Sequence, residues 1–434
     1  MDLVCSAGSA TQMLFRRRNV AIVVALFMLS TLLCTATDLR LTFGFPWGDG
    51  HPYIDGLKAA AELLEKDHGI VLDIQAGYNT DKLTVAIAAG VPPDVVQRGV
   101  GDILSNAVSG ILMPLEPFLE KHRINLLNDF FPAALPLLQW NNSTYALHWV
   151  PDINFLFMKN HEILQEAGID PLQEILYTDQ VDTIAQRVSQ MSSEGTASRV
   201  GFVPWAAGEP ANALLTWGLA FGGSFYDLDQ GVFTTDKPEN IAALEWIVSY
   251  KSNGWVPTGA SMDPASGRVA LGFAWPAVIM TIKGRSERFD FSLAPIPHKK
   301  DGGNPNPVWV GGPCLALPTG AKHPDEAFQV IDFLIRDPVG SVAFAKTANV
   351  FPAYRKSPYL RQIMDDPDWR PLFEQSLAVK YSRPPVPNSV FWIRAGNAAV
   401  NRALAGMEPA NSLRQMQHEV TVDLQELLKG LASR

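Results

Sequence analysis

Residues 39–97 alternate between short apolar strands and amphipathic helices, and this alternation restricts the fold more than any other feature of the sequence. Three strand patterns and two helical patterns follow one another there, at 39–45, 53–66, 70–74, 80–89 and 94–97. Consecutive β-α-β-α-β units predict a parallel, layered sheet whose ligands bind beyond the carboxyl ends of the strands. The segment FPWGDG at 45–50 and the turn at 98–99 both lie at such ends.

The rest of the chain continues this mixed pattern without a low-complexity linker. Further strands and helices are predicted at 199–205, 209–220, 238–254, 292–297, 313–317 and 324–335, with mostly helical sequence from 397 onward. Domains that are joined by several crossings leave no single boundary rich in proline and glycine. The pattern therefore predicts an α/β protein with interwoven domains.

The N-terminus has the order of a secretory signal. Basic Arg16–Arg18 precede the apolar run Val20–Leu33, and small residues follow. A bilayer-spanning helix needs about 20 apolar residues, so an uncleaved anchor is less favoured. We expect residues 1–36 to be a signal peptide that is cleaved after Ala36. Lipid attachment at Cys34 is a weaker alternative, because Leu33 stands where a small residue is expected.

Composition excludes several classes of protein. The formal net charge of −9 is spread along the chain without a basic run, which argues against nucleic-acid binding. Three cysteines, Cys5, Cys34 and Cys314, cannot form a disulfide framework or a four-ligand zinc site by themselves. No stretch beyond the N-terminal segment is long and apolar enough to span a membrane, so the body of the protein is expected to be soluble.

Signatures of catalysis and cofactor binding are not found. No two of the eight histidines are spaced as in an H-E-x-x-H helix, and no phosphate-binding G-x-x-x-x-G-K-[ST] motif occurs. Ser224 comes nearest to a nucleophile elbow and lacks its final glycine. We therefore predict no catalytic residue, no metal and no cofactor. A secreted glycoside hydrolase stays open, because its carboxylate pair is defined by spatial separation rather than by sequence.

Tryptophan is the residue type that points to a ligand. Six of the 11 tryptophans are interpreted as lying in loop-like contexts, five of them with glycine or proline within two residues: Trp47, Trp149, Trp205, Trp275, Trp309 and, without such a neighbour, Trp392. A flat indole ring can cover the apolar C–H face of a sugar while its N–H donates a hydrogen bond. Each of these tryptophans alone also fits a core or turn position. Together they favour a ligand cleft.

The order and spacing of several segments carry a resemblance to a known family. The match runs over nearly all of the chain after the signal, and its pieces lie at 78–96, 110–119, 145–169, 222–223, 233–256, 311–334 and 388–406. In them the chain resembles the family 1 extracellular solute-binding proteins, the sugar-binding components of ATP-driven importers of the maltose-binding type.

The resemblance implies a two-lobed periplasmic-binding-protein fold of type II, in which each lobe is a mixed, mostly parallel sheet flanked by helices. The N-terminal lobe would comprise 38–150 and 312–348, and the C-terminal lobe 151–311 and 349–434. A multi-strand hinge would cross near 150–154, 310–312 and 349–352. The implied function is capture of a sugar or oligosaccharide in the periplasm, by a monomer, for delivery to the membrane permease of an ABC transporter.

The resemblance also implies which residues contact the ligand. Stacking is expected from four tryptophans, Trp47, Trp205, Trp275 and Trp392. Hydrogen bonding to hydroxyl groups is expected from four charged residues, Asp49, Arg98, Asp152 and Glu209. Each carboxylate also fits a purely structural role. Asp49 fits a glycine turn, Asp152 fits a turn after proline, and Glu209 fits the first turn of a helix, where the helix dipole favours a negative charge.

A non-sugar solute is the main alternative for the same fold. Polyol phosphates, polyamines and metal chelates remain candidates. Phosphate would need convergent arginine, lysine or backbone N–H groups, and Arg98 is the one obvious cation for it.

Overall fold

A computed structural model of the chain describes residues 39–154, 156–193, 199–283, 289–367 and 377–433, together with residues 370 and 374. The predicted signal peptide, residues 1–36, lies outside the described residues. None of the helices in the described part combines the length and the hydropathy that crossing a bilayer requires.

Fifteen strands are described, most of them short. They are β1 (Leu39–Gly44), β2 (Ile70–Gln75), β3 (Val95–Gly99), β4 (Gln139–Trp140), β5 (Ser143–Thr144), β6 (Leu147–His148), β7 (Asp152–Asn154), β8 (Leu156–Asn160), β9 (Tyr226–Asp227), β10 (Val232–Phe233), β11 (Leu271–Ala274), β12 (Phe291–Ala294), β13 (Trp309–Gly311), β14 (Pro313–Ala316) and β15 (Tyr381–Ser382).

Helices separate and cover the strands. Those described are α1 (Pro52–His68), α2 (Thr80–Ala88), α3 (Ile103–Val108), α4 (Glu116–Lys121), α5 (Leu126–Asp129), α6 (His161–Glu166), α7 (Thr178–Ser193), α8 (Pro210–Ala220), α9 (Pro238–Ser252), α10 (Pro276–Lys283), α11 (Pro324–Ile335), α12 (Gly340–Ala348), α13 (Pro358–Met364), α14 (Ser389–Leu404) and α15 (Pro409–Ala432). Short 3-10 helices add Val100–Asp102, Pro132–Leu137 and Pro264–Ser266.

The first sheet has five strands in the order β2-β1-β3-β14-β6. Strand β1 pairs in parallel with β2, Leu39 lying opposite Ile70, and with β3, Phe43 lying opposite Val95. This confirms the parallel pairing predicted from the alternation of strands and helices. Strand β14 joins from much later in the chain and pairs antiparallel with β3 and β6. The sheet is therefore mixed, with its parallel part at the N-terminus.

A second sheet, β11-β8-β12, is antiparallel in both of its ladders. Parallel pairing, expected to prevail in each lobe, is thus seen in two of the four ladders of the first sheet and in neither ladder of this one. A third sheet, β15-β13-β7, brings together two of the predicted crossings, with Gly311 opposite Asp152. We call this third sheet the hinge sheet. The lobe boundaries themselves remain a prediction.

Helices α1 and α12 form the closest packed pair beside the first sheet. A Cβ atom on Gly56 of α1 would lie 2.9 Å from the carbonyl oxygen of Phe344 and 2.9 Å from the Cβ atom of Ala348. A side chain at position 56 would therefore force the helices apart. Glycine lets the two backbones approach, and Leu57 and Ala60 of the same helix face are fully buried.

The strand predicted at 199–205 is wrong over most of its length. Only Val200 makes a β-bridge, with Val269, and the following residues are irregular. The apolar residues Val200, Phe202 and Val203 are buried, but they pack on the core and most of them do not enter a ladder. Pro204 has no N–H for a ladder, and its carbonyl oxygen accepts a hydrogen bond from the Trp217 indole at 2.9 Å.

Candidate functional site

A cavity of about 790 Å³, called here the cleft cavity, opens where the ends of the first sheet meet the hinge sheet. Its walls come from the loop after β1, the 3-10 turn after β3, the segments around the hinge sheet, and the starts of α10 and α14. The lining residues used below are Trp47, His51, Tyr53, Asp102, Asp152, Trp275, Asn349 and Arg383. The predicted ligand edge of the sheet is therefore the edge that carries the cavity.

Aromatic rings form one wall of the cleft cavity. Trp47 is 40% exposed and stacks on His51 with ring centroids 4.4 Å apart. Tyr53 meets the Trp47 ring edge-on at 5.7 Å and reaches back to buried Trp149 at 5.8 Å. The wall is thus anchored in the core while the Trp47 face stays open to a ligand.

His51 also fixes the start of helix α1. Its Nδ1 atom accepts a hydrogen bond from the Tyr53 backbone N–H at 3.2 Å, as an N-cap. Burial lowers the pKa of His51, which favours the neutral ring that this acceptance requires. One side chain therefore caps the helix and supports the Trp47 ring.

Two carboxylates face the cavity from different elements. Burial raises the pKa of Asp102, and the opposing influences are Arg98, the Gly99 N–H and Arg383. Asp152 is exposed toward the cleft. Desolvation by the surrounding protein raises its pKa, and the nearby charge of Arg383 lowers it. Both side chains can accept hydrogen bonds from hydroxyl groups of a solute.

Arg383 is the cation of the cleft cavity. Its Nη2 donates to the Asn212 side-chain oxygen at 2.9 Å, and its guanidinium lies over the Trp309 ring at 4.8 Å. Burial lowers the pKa of Arg383, while Glu209, Asp152 and Asp102 raise it. The Nε–H is buried without a hydrogen-bond partner in the described part of the chain.

Sequence reasoning missed Arg383 because it lies in an irregular segment, YSRPP, that matches no motif. The surrounding charges come from three distant parts of the chain, so no local pattern marks them. His51, Tyr53 and Asp102 were missed for the same reason.

Trp275 and the end of helix α12 also line the cleft cavity. Trp275 follows strand β11 directly, and its carbonyl oxygen accepts from the Val278 N–H at the start of α10. Its ring is half-buried and packs partly against the core. Asn349 ends α12 with a positive φ of 56°, a conformation that asparagine tolerates better than most residues.

The structure brings three of the eight predicted site residues to this cavity: Trp47, Asp152 and Trp275. Asp49 is exposed in the neighbouring loop and does not line it. Trp205 is half-buried against the core. Glu209 precedes α8 and accepts from the Asn397 side-chain amide at 3.0 Å, so it acts on the cavity through its effect on Arg383.

Arg98 and Trp392 lie in the core and are not brought to the cavity. The Arg98 guanidinium donates to the backbone oxygens of Tyr78 at 2.9 Å, Gln97 at 3.0 Å and Asn79 at 3.3 Å, and so ties strand β3 to the loop before α2. Trp392 has no exposed surface and meets Phe225 edge-on at 5.6 Å. With its ring enclosed, Trp392 has no face on which a ligand could stack in this structure.

No group of three or more histidine, cysteine, aspartate or glutamate side chains in the described ranges is placed to hold a metal ion. The groups that the cleft cavity offers a ligand are aromatic faces, the carboxylates of Asp102 and Asp152, the guanidinium of Arg383 and the side-chain amide of Asn349. That set suits reversible recognition of a polar solute with apolar faces.

Comparison with known proteins gives consistent results. Mannobiose-bound CpMnBP1 superimposes with a TM-score of 0.72 at 24% identity, over 88% of this chain and 99% of that one. An ABC transporter solute-binding protein from Thermotoga lettingae, bound with α-D-tagatose, gives 0.72 at 19% identity, over 91% and 100%. The sugar-binding protein MalE from Xanthomonas citri gives 0.73 at 19% identity, over 91% and 98%.

These likenesses confirm the two-lobed fold of periplasmic binding proteins. The model of one protein family, described as bacterial extracellular solute-binding protein, matches residues 59–371. That match begins after Trp47, His51 and Tyr53 of the aromatic wall, and it includes both cavity carboxylates and Trp275. The chain belongs to the bacterial extracellular solute-binding proteins.

Proposed function

We propose that this protein captures a sugar or oligosaccharide in the cleft cavity and delivers it to the permease of an ABC transporter. The observation that carries the proposal is the convergence of the open Trp47 face and the half-buried Trp275 ring with Asp102 and Asp152 in one cavity. Rings cover the C–H faces of a sugar, and the carboxylates accept from its hydroxyl groups. The similar solved structures named above include proteins with mannobiose and tagatose bound.

Closure is proposed to rotate two lobes about the hinge sheet, with the lobes at 38–150 plus 312–348 and 151–311 plus 349–434. Support comes from the position of the cleft cavity, which is lined by residues of all three proposed crossings, including Asp152, Gly312 and Asn349. A solute bound to these segments makes different contacts in the open and the closed arrangement of the two lobes. It therefore shifts the equilibrium between them by its differential affinity.

The protein is proposed to act in the periplasm as a monomer, after removal of a signal peptide that ends near Ala36. It is proposed to bind without chemical turnover, which separates it from a glycoside hydrolase. Incubation with the bound oligosaccharide should then produce no new reducing ends. A steady release of reducing ends would instead show hydrolysis.

Phosphorylated solutes are disfavoured by the charges of the cavity. Arg98, the cation considered for phosphate from the sequence, donates to backbone oxygens within the core. Arg383 does face the cavity, but Asp102 and Asp152 lie close enough to perturb its pKa. A dianionic phosphate would meet both carboxylates, whereas a neutral polyol would not be repelled.

Thermal unfolding of residues 37–434 with a panel of sugars, polyols and sugar phosphates tests the proposal. A ligand at about 100 times its Kd adds about 2.7 kcal/mol to the free energy of unfolding, which is easily seen. Trp47→Ala and Trp275→Ala should lose the shift caused by a sugar. Trp140→Ala, a change of the same kind outside the cavity lining, should keep it. A shift with phosphates alone would contradict the sugar proposal.

A further inference from the structure

A second cavity, of about 550 Å³, lies beside strand β15 of the hinge sheet and is called here the hinge-side cavity. Its described lining shares only Arg383 with that of the cleft cavity. Four parts of the fold contribute: the segment 131–136, helix α8 with the loop at 224–228, Arg355 in the loop before α13, and the segment 377–385. The solute-binding role of the cleft does not account for this space.

The charged side chains of the hinge-side cavity all carry one sign. Arg355, Lys380 and Arg383 line it, and none of its described lining residues is aspartate or glutamate. The side chains of Arg355 and Lys380 are exposed and form no ion pair or hydrogen bond with the described residues. In a chain with a formal net charge of −9, this is a local reversal that favours an anion.

The remaining lining is apolar and partly aromatic. Phe131 comes from one side, and Leu215 and Leu219 of α8 come from the other, with Phe225 next to them. The rings of Tyr226 and Tyr381 also line the cavity and carry hydroxyl groups that can donate to an anion. A ligand that matches this lining has an apolar body and a negatively charged end.

We propose that the hinge-side cavity binds a small amphipathic anion, an aromatic ring system that carries one carboxylate. The ring packs between Phe131 and α8. The carboxylate lies toward Arg355 and Lys380, which form charge-assisted hydrogen bonds with it. Apart from Arg383, its lining is distinct from that of the cleft cavity, and the proposal does not rest on the sugar proposal.

Isothermal titration calorimetry with 2-naphthoate tests the site, and 2-naphthamide is the neutral probe of the same shape. We expect saturable binding of the naphthoate and much weaker binding of the amide. The double variant R355Q/K380Q, at two exposed positions, should weaken naphthoate binding about tenfold, because exposed ion pairs contribute modestly. Raising the salt concentration should weaken it as well.

Three variants separate the possible outcomes. Ala133→Trp fills the cavity and should abolish binding, with circular dichroism as the check that it folds. Lys322→Gln removes a lysine that lines neither cavity and should leave binding unchanged. Trp47→Ala in the cleft should also leave it unchanged. The proposal is overturned if the naphthoate does not saturate, if the amide binds equally, if R355Q/K380Q matches Lys322→Gln, or if Trp47→Ala abolishes binding.

Discussion

Replacing Trp47 with alanine removes ring surface that a ligand in the cleft cavity would cover. The residue is 40% exposed, and a tryptophan buries roughly 250 Å² when fully enclosed, so about 100 Å² is open to a ligand. At about 25 cal/mol per Å², full coverage corresponds to about 2.5 kcal/mol and half coverage to about 1.2 kcal/mol. The expected loss of affinity is therefore about 8-fold to 60-fold.

Calorimetric titration of the variant with the sugar found in the thermal panel measures this loss. Trp47 packs on Phe45 at 5.3 Å and on His51, so a small drop in unfolding temperature without ligand is also expected. Trp140→Ala is the matched control and should bind as the wild type does. An unchanged affinity in a folded Trp47→Ala protein would refute the reasoning, because a ligand in this cavity would then leave its largest open ring uncovered.

Three further changes test the framework around the cavity. Gly312→Ala should lower the free energy of unfolding by at least about 3 kcal/mol in chemical denaturation. The reason is that its Cβ atom would lie 2.1 Å from the Val150 carbonyl oxygen and that the backbone φ at this position is 110°. Gly48→Ala is the control, because Gly48 has open space around it, and it should unfold as the wild type does. Burial lowers the pKa of His148 from 6.5 to about 4, so its share of stability is complete above pH 6.5 and is lost as the pH falls toward 4. That share is about 3 kcal/mol, and unfolding at pH 7 and pH 4.5 should show a smaller pH dependence in His148→Gln than in the wild type. Trp392→Ala should cost about 3–5 kcal/mol of stability by leaving a cavity in the core, while calorimetry on the folded fraction should show retained ligand affinity.

The elements that could be predicted were those with a local signal. The helix at 324–335 was predicted with its observed bounds, since Pro324 sits at the first position and the apolar face repeats with helical spacing. The parallel pairing of β1 with β2 and β3 followed from the alternation of strands with helices in the sequence. The strand at 199–205 failed because a buried apolar run can satisfy its backbone outside a sheet, as the Pro204 carbonyl does with Trp217.

The candidate site was less predictable because the direction of a side chain is decided by tertiary packing. Trp47 and Trp392 both lie near the start of a helix, yet one ring faces the cleft cavity and the other faces Phe225 in the core. The Arg383 guanidinium interacts with the carboxylates of Asp102, Asp152 and Glu209. These residues come from the turn after β3, the hinge sheet and the segment just before α8, and no spacing rule links those segments. Only the folded chain shows that they meet.

The close contact of α1 and α12 at Gly56 has a consequence for binding. His51 and Tyr53 at the start of α1 and Asn349 at the end of α12 line the same cavity, so one tightly packed helix pair positions both. The entropy of arranging this half of the cavity is lost when the chain folds and not when a solute arrives. This half is preorganised, and a solute that docks on it first needs to order only the opposite wall.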